Sequence, residues 1–591
     1  MTEAIRFGGR FVMEDSTPDS VVTPEDFTEE QRMMGDAARQ FLDTEITPRD
    51  ADLEALNYEL TVELMRKAGE LGLLGADVPE AYGGLGLDKV STTLLAETLA
   101  RASSFALSVG AHTGIGTLPI VFFGTPAQKQ AYLPALATGE RIAAYCLTEP
   151  ASGSDALGAR TTARLTPDGK HYVLNGSKLY ITNAGFADLF IVYAKVDGEY
   201  FTAFIVEKGM AGFSIGPEEH KMGIKGSSTR PLFFEDVPVP VENVLGEVGK
   251  GHQIAFNILN IGRFKLGAAC LGSSKETIEL ASSYANTRKQ FGRAISSYPL
   301  IGAKLADMNI RTYVLESMVY RTAGWIDAML RTTESADGVS IAKAIGEYAI
   351  ECSIIKVFAS EALDFVADEG VQIHGGYGYI HEYKVERIYR DSRINRIFEG
   401  TNEINRMLIP GTLMKKALKG ELPLLRKVRS LQAELVQPMP IPPLEKPLSK
   451  EAFRLGQAKK AFLAIGGLAV QKLGLRLEQE QEVLCSLADL MIQIFAMESA
   501  LLRSQKIVKA SGGAGSEKAE NVIAMTTVFV QEAMERVDSL AKLALAALEQ
   551  GDALQMQLSI LKKLMRAPLS DTVALKRTIA ARVIRGEHYV V

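Results

Sequence analysis

The chain has 591 residues, 47% hydrophobic and 23% charged, a balance that excludes a disordered, collagenous or disulfide-scaffold protein. At about 100–200 residues per domain it holds three to five domains. Lys and Arg total 65 against 71 Asp and Glu, a net charge of −6, which argues against nucleic acid as the main partner. Cys146, Cys270, Cys352 and Cys485 have no metal or redox spacing and read as buried thiols in a reducing compartment. Residues 1–6 lack the basic-then-apolar pattern of a secretory leader, so a cytoplasmic location is expected.

Residues 1–26 are polar and turn-rich and read as an arm. Thr28 and Gln31 form a capping box, and Met34, Ala38, Phe41 and Leu42 follow at helical spacing. Helical signals continue to residue 145, giving an α-helical domain over 27–145 with a turn at Tyr82–Gly86. Within it, Ala102–Gln128 carries no Asp, Glu, Lys or Arg and is long enough to span a bilayer. Six Gly and Pro residues interrupt it, so it reads as buried helix, turn, helix in a soluble protein.

Between 146 and 248 the period changes. Short apolar runs (Tyr172–Leu174, Leu189–Tyr193, Phe201–Val206, Leu232–Phe234) are separated by Asp168-Gly169, Asn175-Gly176 and Asp197-Gly198, which read as hairpin turns. This predicts a small all-β domain, barrel or sandwich, rather than a doubly wound sheet. Helical periodicity returns over 249–410, with Ile301, Leu305, Met308, Thr312, Leu315 and Val319 on one stripe suited to a four-helix bundle. A basic, proline-rich stretch over 411–450 reads as a linker, and 451–591 as a further helical domain. That tail echoes the bundle: Leu305, Ala306, Asp307, Ile310, Glu316, Ser317 and Arg321 recur as Leu487, Ala488, Asp489, Ile492, Glu498, Ser499 and Arg503, all 182 residues on. Two readings stand, a coincidence of helical heptads or a second bundle related to the first.

No dinucleotide-binding glycine fingerprint, phosphate loop, zinc helix or nucleophile elbow is present, and no metal site is expected. Catalysis therefore falls to an organic cofactor or to a lone acid or base.

Five segments carry that chemistry: Tyr145–Asp155 (YCLTEPASGSD), Asn175–Asn183 (NGSKLYITN), Arg288–Gly292 (RKQFG), Gln372–Gly378 (QIHGGYG) and Arg396–Ile404 (RIFEGTNEI). In order and spacing they resemble the acyl-CoA dehydrogenase family of flavoproteins over residues 27–410, and with the C-terminal extension they are most similar to its very-long-chain branch. The resemblance implies a helical domain, a β-domain and a four-helix bundle, with FAD between the last two and its adenine end near a neighbouring subunit. It implies that Glu399 removes the α proton of an acyl-CoA thioester while the β hydrogen leaves as hydride, forming a trans-2-enoyl-CoA. Bound substrate excludes water and so raises the carboxylate's pKa toward the working pH. Gly400 allows close backbone approach, and the Glu399 amide faces the enolate-like oxygen, a task where one donor contributes about 2.7–4 kcal/mol.

Relatives that keep their base on the helix before the position of Arg263 have a carboxylate where this chain has Gly262, which leaves Glu399 alone. The resemblance assigns Tyr145, Leu147, Thr148, Ser154 and Thr182 to the flavin, with Tyr180 as the aromatic wall on its ring. Arg288 suits the pyrophosphate by charge and forked geometry, and Phe291 offers a surface for adenine. Gln372 and Gly376 are expected from the neighbouring subunit, with Thr401 and Glu403 near the nucleotide half. Ser154, Asn260, Arg263 and Gly400 are the substrate's polar candidates. Gly110, where medium-chain relatives carry a glutamate nearby, leaves a deeper apolar slot that favours long chains; its alternative role is helix packing alone.

At the 182-residue offset from Glu399 the tail has Ala581, so the extension is expected to be non-catalytic and to cover a bundle face, leaving a homodimer. The stretch Met414–Arg429 suits either an anionic membrane surface or a solvated linker. Electrons are expected to pass to an electron-transferring flavoprotein. An acyl-CoA oxidase or a mainly scaffolding relative are the alternatives.

Overall fold

The computed structural model describes residues 7–333, 338–435, 437 and 440–591. The N-terminal domain is helical: α1 (Glu29–Phe41), α2 (Asp50–Glu54), α3 (Tyr58–Glu70), α4 (Lys89–Leu99), α5 (Ser104–Gly110), α6 (Leu118–Phe123) and α7 (Pro126–Thr138). Thr28 caps α1 by accepting the Gln31 N–H, with the Gln31 side chain returning the bond. The uncharged stretch is α5, a π turn over Ala111–Gly116, and α6. Three segments, Ser104–Phe123, Gly251–Thr287 and Gln481–Ala510, have the length and apolarity of membrane spans, but 72%, 67% and 83% of their most apolar windows are buried within the protein.

Eight strands follow: β1 (Ala143–Cys146), β2 (Thr162–Leu165), β3 (His171–Thr182), β4 (Leu189–Val196), β5 (Tyr200–Glu207), β6 (Phe213–Ile215), β7 (Thr229–Pro240) and β8 (Val244–Leu245). They form one mixed sheet in the order β6-β7-β3-β2-β4-β5-β8, with β1 and β2 both parallel to β4. Period two sorts β4 between two cores. Phe190, Val192 and Ala194 join the β-domain's own cluster, while Leu189, Ile191 and Tyr193 join the main core shared with the bundle. Asp168-Gly169 and Asp197-Gly198 are turns between strands, as expected. Asn175-Gly176 is not: it lies inside β3 at a register shift opposite β7, where the Asn175 amide exchanges two hydrogen bonds of 2.9 Å with Asp236. The same Asn-Gly pair that makes a hairpin also makes a bulge, and only the partner strand decides.

The first bundle comprises α8 (Gly251–Thr287), a hairpin of β9 (Lys289–Gln290) and β10 (Arg293–Ala294), α9 (Pro299–Arg331), α10 (Gly338–Gly346), α11 (Ala349–His374), α12 (Lys384–Ser392) and α13 (Asn402–Leu418). Residues 411–450 are not a linker throughout. Helix α13 runs to Leu418, and α14 (Leu424–Leu435) is docked by Leu422, Leu431 and Leu435. The tail folds as α15 (Ser449–Leu473), α16 (Gln481–Ala510), α17 (Glu517–Leu548), α18 (Gly551–Leu564) and α19 (Thr572–Gly586).

The sequence echo is a structural pseudo-twofold. Helix α9 packs on α16, and α13 packs on α16 as α19 packs on α9. Glu316 pairs with Arg503 while Arg321 pairs with Glu498, so each member of the repeat meets the opposite member's copy. Asp489 pairs with Arg406 of α13, and its counterpart Asp307 pairs with Lys576 of α19. Reciprocal contact is the signature of a two-fold interface between like units.

The N-terminal arm is turn-rich but not merely polar. Phe11, Val12, Met13 and Val21 are buried, Phe11 meets Phe495 edge-on at 4.9 Å, and Glu25 accepts two bonds from Arg503. Residues 8–26 thus fill the seam between the two bundles.

Candidate active site

Between the 3-10 turn Arg393–Arg396 and α13, the backbone passes through two left-handed residues, Glu399 (φ +56°) and Gly400 (φ +80°). The conformation is free for glycine and costs a glutamate about 1–2 kcal/mol, so its surroundings must impose it. Thr401 caps α13 by accepting the Ile404 N–H at 3.2 Å. Arg263 Nε donates to the Glu399 carbonyl at 3.1 Å, and Asn405 Nδ2 donates to the carbonyls of Gly400 and Thr401 at 2.9 and 3.0 Å. Arg263 Nη1 donates to Asn260 Oδ1 at 3.1 Å. Asn260, Arg263, Glu399 and Gly400 therefore form one assembly.

Glu399 is half-buried, with its Oε2 shut off from solvent and accepting no hydrogen bond among the described residues. Burial pushes its pKa up to about 7, against the opposing pull of Arg263 and Lys356. Facing it is Gly262, where a Cβ would lie 2.5 Å from Glu399 Oε2. Gly262 therefore does more than lack a carboxylate: it makes room for the one that is present.

Glu399 stands in the wall of a cavity of about 240 Å³. One face of α8 lines it through Gly262, Leu266, Ala269, Cys270, Ser273 and Glu276, opposite α4, with Gly110 and Thr182 also in the wall. A Cβ on Gly110 would meet nothing within 4 Å, so the glycine widens the cavity rather than relieving a helix contact. Lys265 also lines it, but its charge is answered by Asp77 at 2.5 Å. Burial would raise the Asp77 carboxyl, yet Lys265 and Lys89 hold it well below the usual carboxylate range.

Of the β-domain residues, Thr182 lines this cavity and Tyr145 faces Glu399. Lys178, fully buried, pairs with Glu149 at 2.7 Å and donates to the Leu147 carbonyl at 3.3 Å, while the Leu179 N–H donates to the Thr148 carbonyl at 2.9 Å. These bonds pin Leu147 and Thr148 to β3. A register shift between Lys178 and Ile181 then turns Tyr180 outward, 60% exposed at φ +59°. Tyr145 is buried with its ring 5.3 Å from that of Tyr193. Ser154 lies on an exposed loop outside the cavity lining, and Glu403 is exposed on the first turn of α13.

Arg288, Phe291, Gln372 and Gly376 stand apart on a second surface. Arg288 and Gly376 line a shallow depression there, Arg288 lies 5.4 Å from the centre of the Tyr377 ring, and Phe291 is 94% exposed at φ +51°. Cβ atoms on Gly375 or Gly376 would meet nothing within 4 Å, so backbone is accessible there. The Thr182 hydroxyl in the wall of the Glu399 cavity and the outward ring of Tyr180, with a cation, an aromatic face and bare glycine backbone on the second surface, fit the two halves of FAD. They do so on two surfaces rather than one.

Sequence reasoning missed Lys356, Asn402 and the Lys178–Glu149 pair. Lys356 donates to Asn402 Oδ1 at 2.7 Å in the interior near Glu399. Its signal was a lysine in the apolar run Cys352–Ala359 of a helix.

The chain is similar to known proteins along nearly its whole length. The descriptions "Acyl-CoA dehydrogenase, N-terminal domain", "middle domain" and "C-terminal domain" match residues 28–140, 144–237 and 249–414, and a further "Acyl-CoA dehydrogenase, C-terminal domain" matches 457–563. A probable acyl-CoA dehydrogenase of Bacillus subtilis is 55% identical over 99% of both chains. The human mitochondrial very long-chain specific acyl-CoA dehydrogenase is 42% identical over 68% of this chain and 60% of its own. The crystal structure of an acyl-CoA dehydrogenase complexed with FAD from Bacillus anthracis superposes with a TM-score of 0.98 at 55% identity, covering 99% of this chain and all of that one. The chain belongs to the acyl-CoA dehydrogenase family.

Proposed function

We propose that this FAD-dependent acyl-CoA dehydrogenase desaturates long-chain acyl-CoA between the α and β carbons with Glu399 as the base, the first step of fatty-acid β-oxidation. The observation that carries the reading is the desolvated carboxylate of Glu399 in the wall of an apolar slot. A group with a pKa of about 7 is a competent proton acceptor near neutral pH, and desolvation keeps water from competing for it. Bound FAD supplies the hydride acceptor, and Tyr145, Leu147, Thr148, Tyr180 and Thr182 are the residues that would hold its ring. Asn260 and Arg263 fix the turn so that the Glu399 backbone is presented to the thioester oxygen.

Slot length supports a long chain. From Gly262 to Glu276 is 14 residues of α8, about 21 Å at 1.5 Å each. A zigzag chain gains roughly 1.2 Å per bond, so about seventeen bonds fit before Glu276, which is ion-paired to Lys384 at 2.7 Å and closes the far end.

The second surface supports a homodimer: Phe291 and Tyr379, 94% and 86% exposed, and Arg288 and Gly376 await a flavin that a second copy would carry. Electrons would leave to an electron-transferring flavoprotein. Exposed Lys415, Leu418, Lys419, Leu425, Arg426, Lys427 and Arg429 suit peripheral contact of a cytoplasmic protein with anionic lipid. Lys416 does not belong to that set, since it pairs with Glu347.

Anaerobic titration with acyl-CoAs of increasing length, following flavin bleaching, tests the reading. Bleaching is expected to be tightest for chains of about sixteen to eighteen carbons, by the reach of the slot. Glu399→Gln should bind them yet leave the flavin oxidised; rapid bleaching by that variant would assign the base elsewhere, and rapid oxygen consumption by the wild type would make the protein an oxidase.

A further inference from the structure

Lys356 is fully buried on α11, and a buried ammonium persists only with strong partners. Its Nζ donates to Asn402 Oδ1 at 2.7 Å. Asn402 opens α13, three residues after Glu399, and its Nδ2 donates to Ser360 Oγ at 3.0 Å and Glu361 Oε1 at 3.1 Å. Glu361 also accepts two bonds from Arg406, of 2.7 and 3.0 Å, and Arg406 Nε donates to Asp489 Oδ1 on α16 at 2.7 Å. Arg536 stands 3.7 Å from the other Asp489 oxygen. An unbroken run of polar contacts therefore joins the turn that carries Glu399 to the second bundle.

We propose that Lys356 and the Arg406–Asp489 pair are positioning residues that hold the head of α13, and with it the Glu399–Gly400 turn, so that the C-terminal bundle takes part in catalysis by the first. The proposal rests on Glu399 being the base. Two successive left-handed residues persist only while their neighbours impose them. Arg263 and Asn405 hold the carbonyls of the turn and Thr401 caps α13 from within, while Lys356 and Arg406 tie the head of that helix to α11 and α16. A displacement of about 1 Å at a reacting group can lower a rate about 10²-fold.

The two halves of the run have different signatures. The charged or titratable groups facing Glu399 are Arg263 from α8, Lys356 from α11 and Tyr145 from β1. Those facing Lys356 are Cys270 and Arg263 from α8, Glu399, and Glu403 from α13; burial lowers Lys356 to about 8 against the pull of Cys270 and Glu399. Removing Lys356 therefore removes one of two cations that favour the ionised base. Removing Asp489 takes no charge from that shell and loosens only position. The pseudo-twofold supplies a control, because Asp307 makes the equivalent bond to Lys576 of α19, which carries no base.

The test uses the full-length FAD-loaded enzyme and three measurements: single-turnover flavin bleaching at saturating long-chain acyl-CoA, acyl-CoA affinity, and Glu399 protonation read from its carboxylic-acid C=O stretch with Glu399→Gln as blank. Lys356→Met is expected to slow bleaching about 10–100-fold, leave affinity in place and move the Glu399 titration to higher pH. Asp489→Ala is expected to slow bleaching about 10-fold with the titration unmoved, and Asp489→Glu to restore it. Asp307→Ala is expected to bleach at the wild-type rate. Wild-type bleaching in Asp489→Ala, or equal slowing in Asp307→Ala, overturns the proposal. So does an unmoved titration in Lys356→Met; if that variant does not fold, Asp489→Ala, Asp489→Glu and Asp307→Ala decide. If Glu399→Gln itself bleaches rapidly, the base assignment fails instead.

Discussion

Arg503 of α16 donates to Glu316 of α9 at 2.5 Å with both side chains buried, and the same two positions one repeat away, Arg321 and Glu498, pair in the opposite sense. Breaking a buried pair outright costs about 3–5 kcal/mol; here Glu316 keeps Lys275 and Tyr589, and Arg503 keeps Glu25, so each single loss falls below that range. Glu316→Gln and Arg503→Met should each lower the urea midpoint strongly, and the double variant should recover part of the loss. Trp325, the chain's single tryptophan, packs 6.0 Å from Phe495 across the same seam, so its fluorescence reports whether the bundles separate. Additive losses in the double variant would deny the coupling.

Gly262→Ala separates stability from activity. Alanine is favoured over glycine in a helix interior by roughly 0.5–1 kcal/mol, but the new Cβ would stand 2.5 Å from Glu399 Oε2. The melting temperature should hold or rise. Flavin bleaching should fall about 10–100-fold as the carboxylate is pushed aside.

Burial of Glu399 carries a pH signature. Its pKa is raised from 4.5 to about 7 on folding, so below the unfolded value both states are protonated and burial of charge adds no cost. As pH rises through this window the unfolded chain ionises first, and stability falls until the folded group ionises near 7. Glu399→Gln should therefore gain up to about 3 kcal/mol over wild type at pH 8, from 1.36 kcal/mol per pKa unit, and nothing near pH 4. Equal gains at both pH values would contradict the linkage. Reductive kcat/KM of the wild type should rise with pH through the same region.

Gly110→Met should shorten the preferred substrate. The side chain enters open space in the cavity wall, so folding is spared. Each CH₂ denied burial forfeits about 0.8 kcal/mol, and sixteen-carbon chains should lose more affinity than eight-carbon ones. A uniform loss across lengths would place Gly110 outside the chain's path.

The Glu399-Gly400 turn as a candidate site and the order of domains were legible because RIFEGTNEI and its companions pair specific residue types at fixed spacing. The repeat was legible as an offset of 182, yet only the crossed pairs Glu316–Arg503 and Arg321–Glu498 distinguish a related bundle from coincident heptads. Asn175-Gly176 misled because an Asn-Gly pair serves a bulge, with only Gly176 at positive φ, as well as a hairpin. Lys356 escaped notice because a lone lysine in an apolar run has no local partner; Asn402 lies 46 residues away. Arg288 and Phe291 were legible as candidates for the nucleotide half of the cofactor, but that they stand on a face apart from Glu399 follows only from the fold.

The plug formed by residues 8–26 has a kinetic corollary for synthesis. Its partners, among them Glu347, Phe495 and Arg503, leave the ribosome hundreds of residues later, tens of seconds at about 5–20 residues per second. For that interval Phe11, Val12 and Met13 have nowhere to go. This segment thus docks long after it is translated, and nascent chains offer chaperones an apolar handle until α16 arrives.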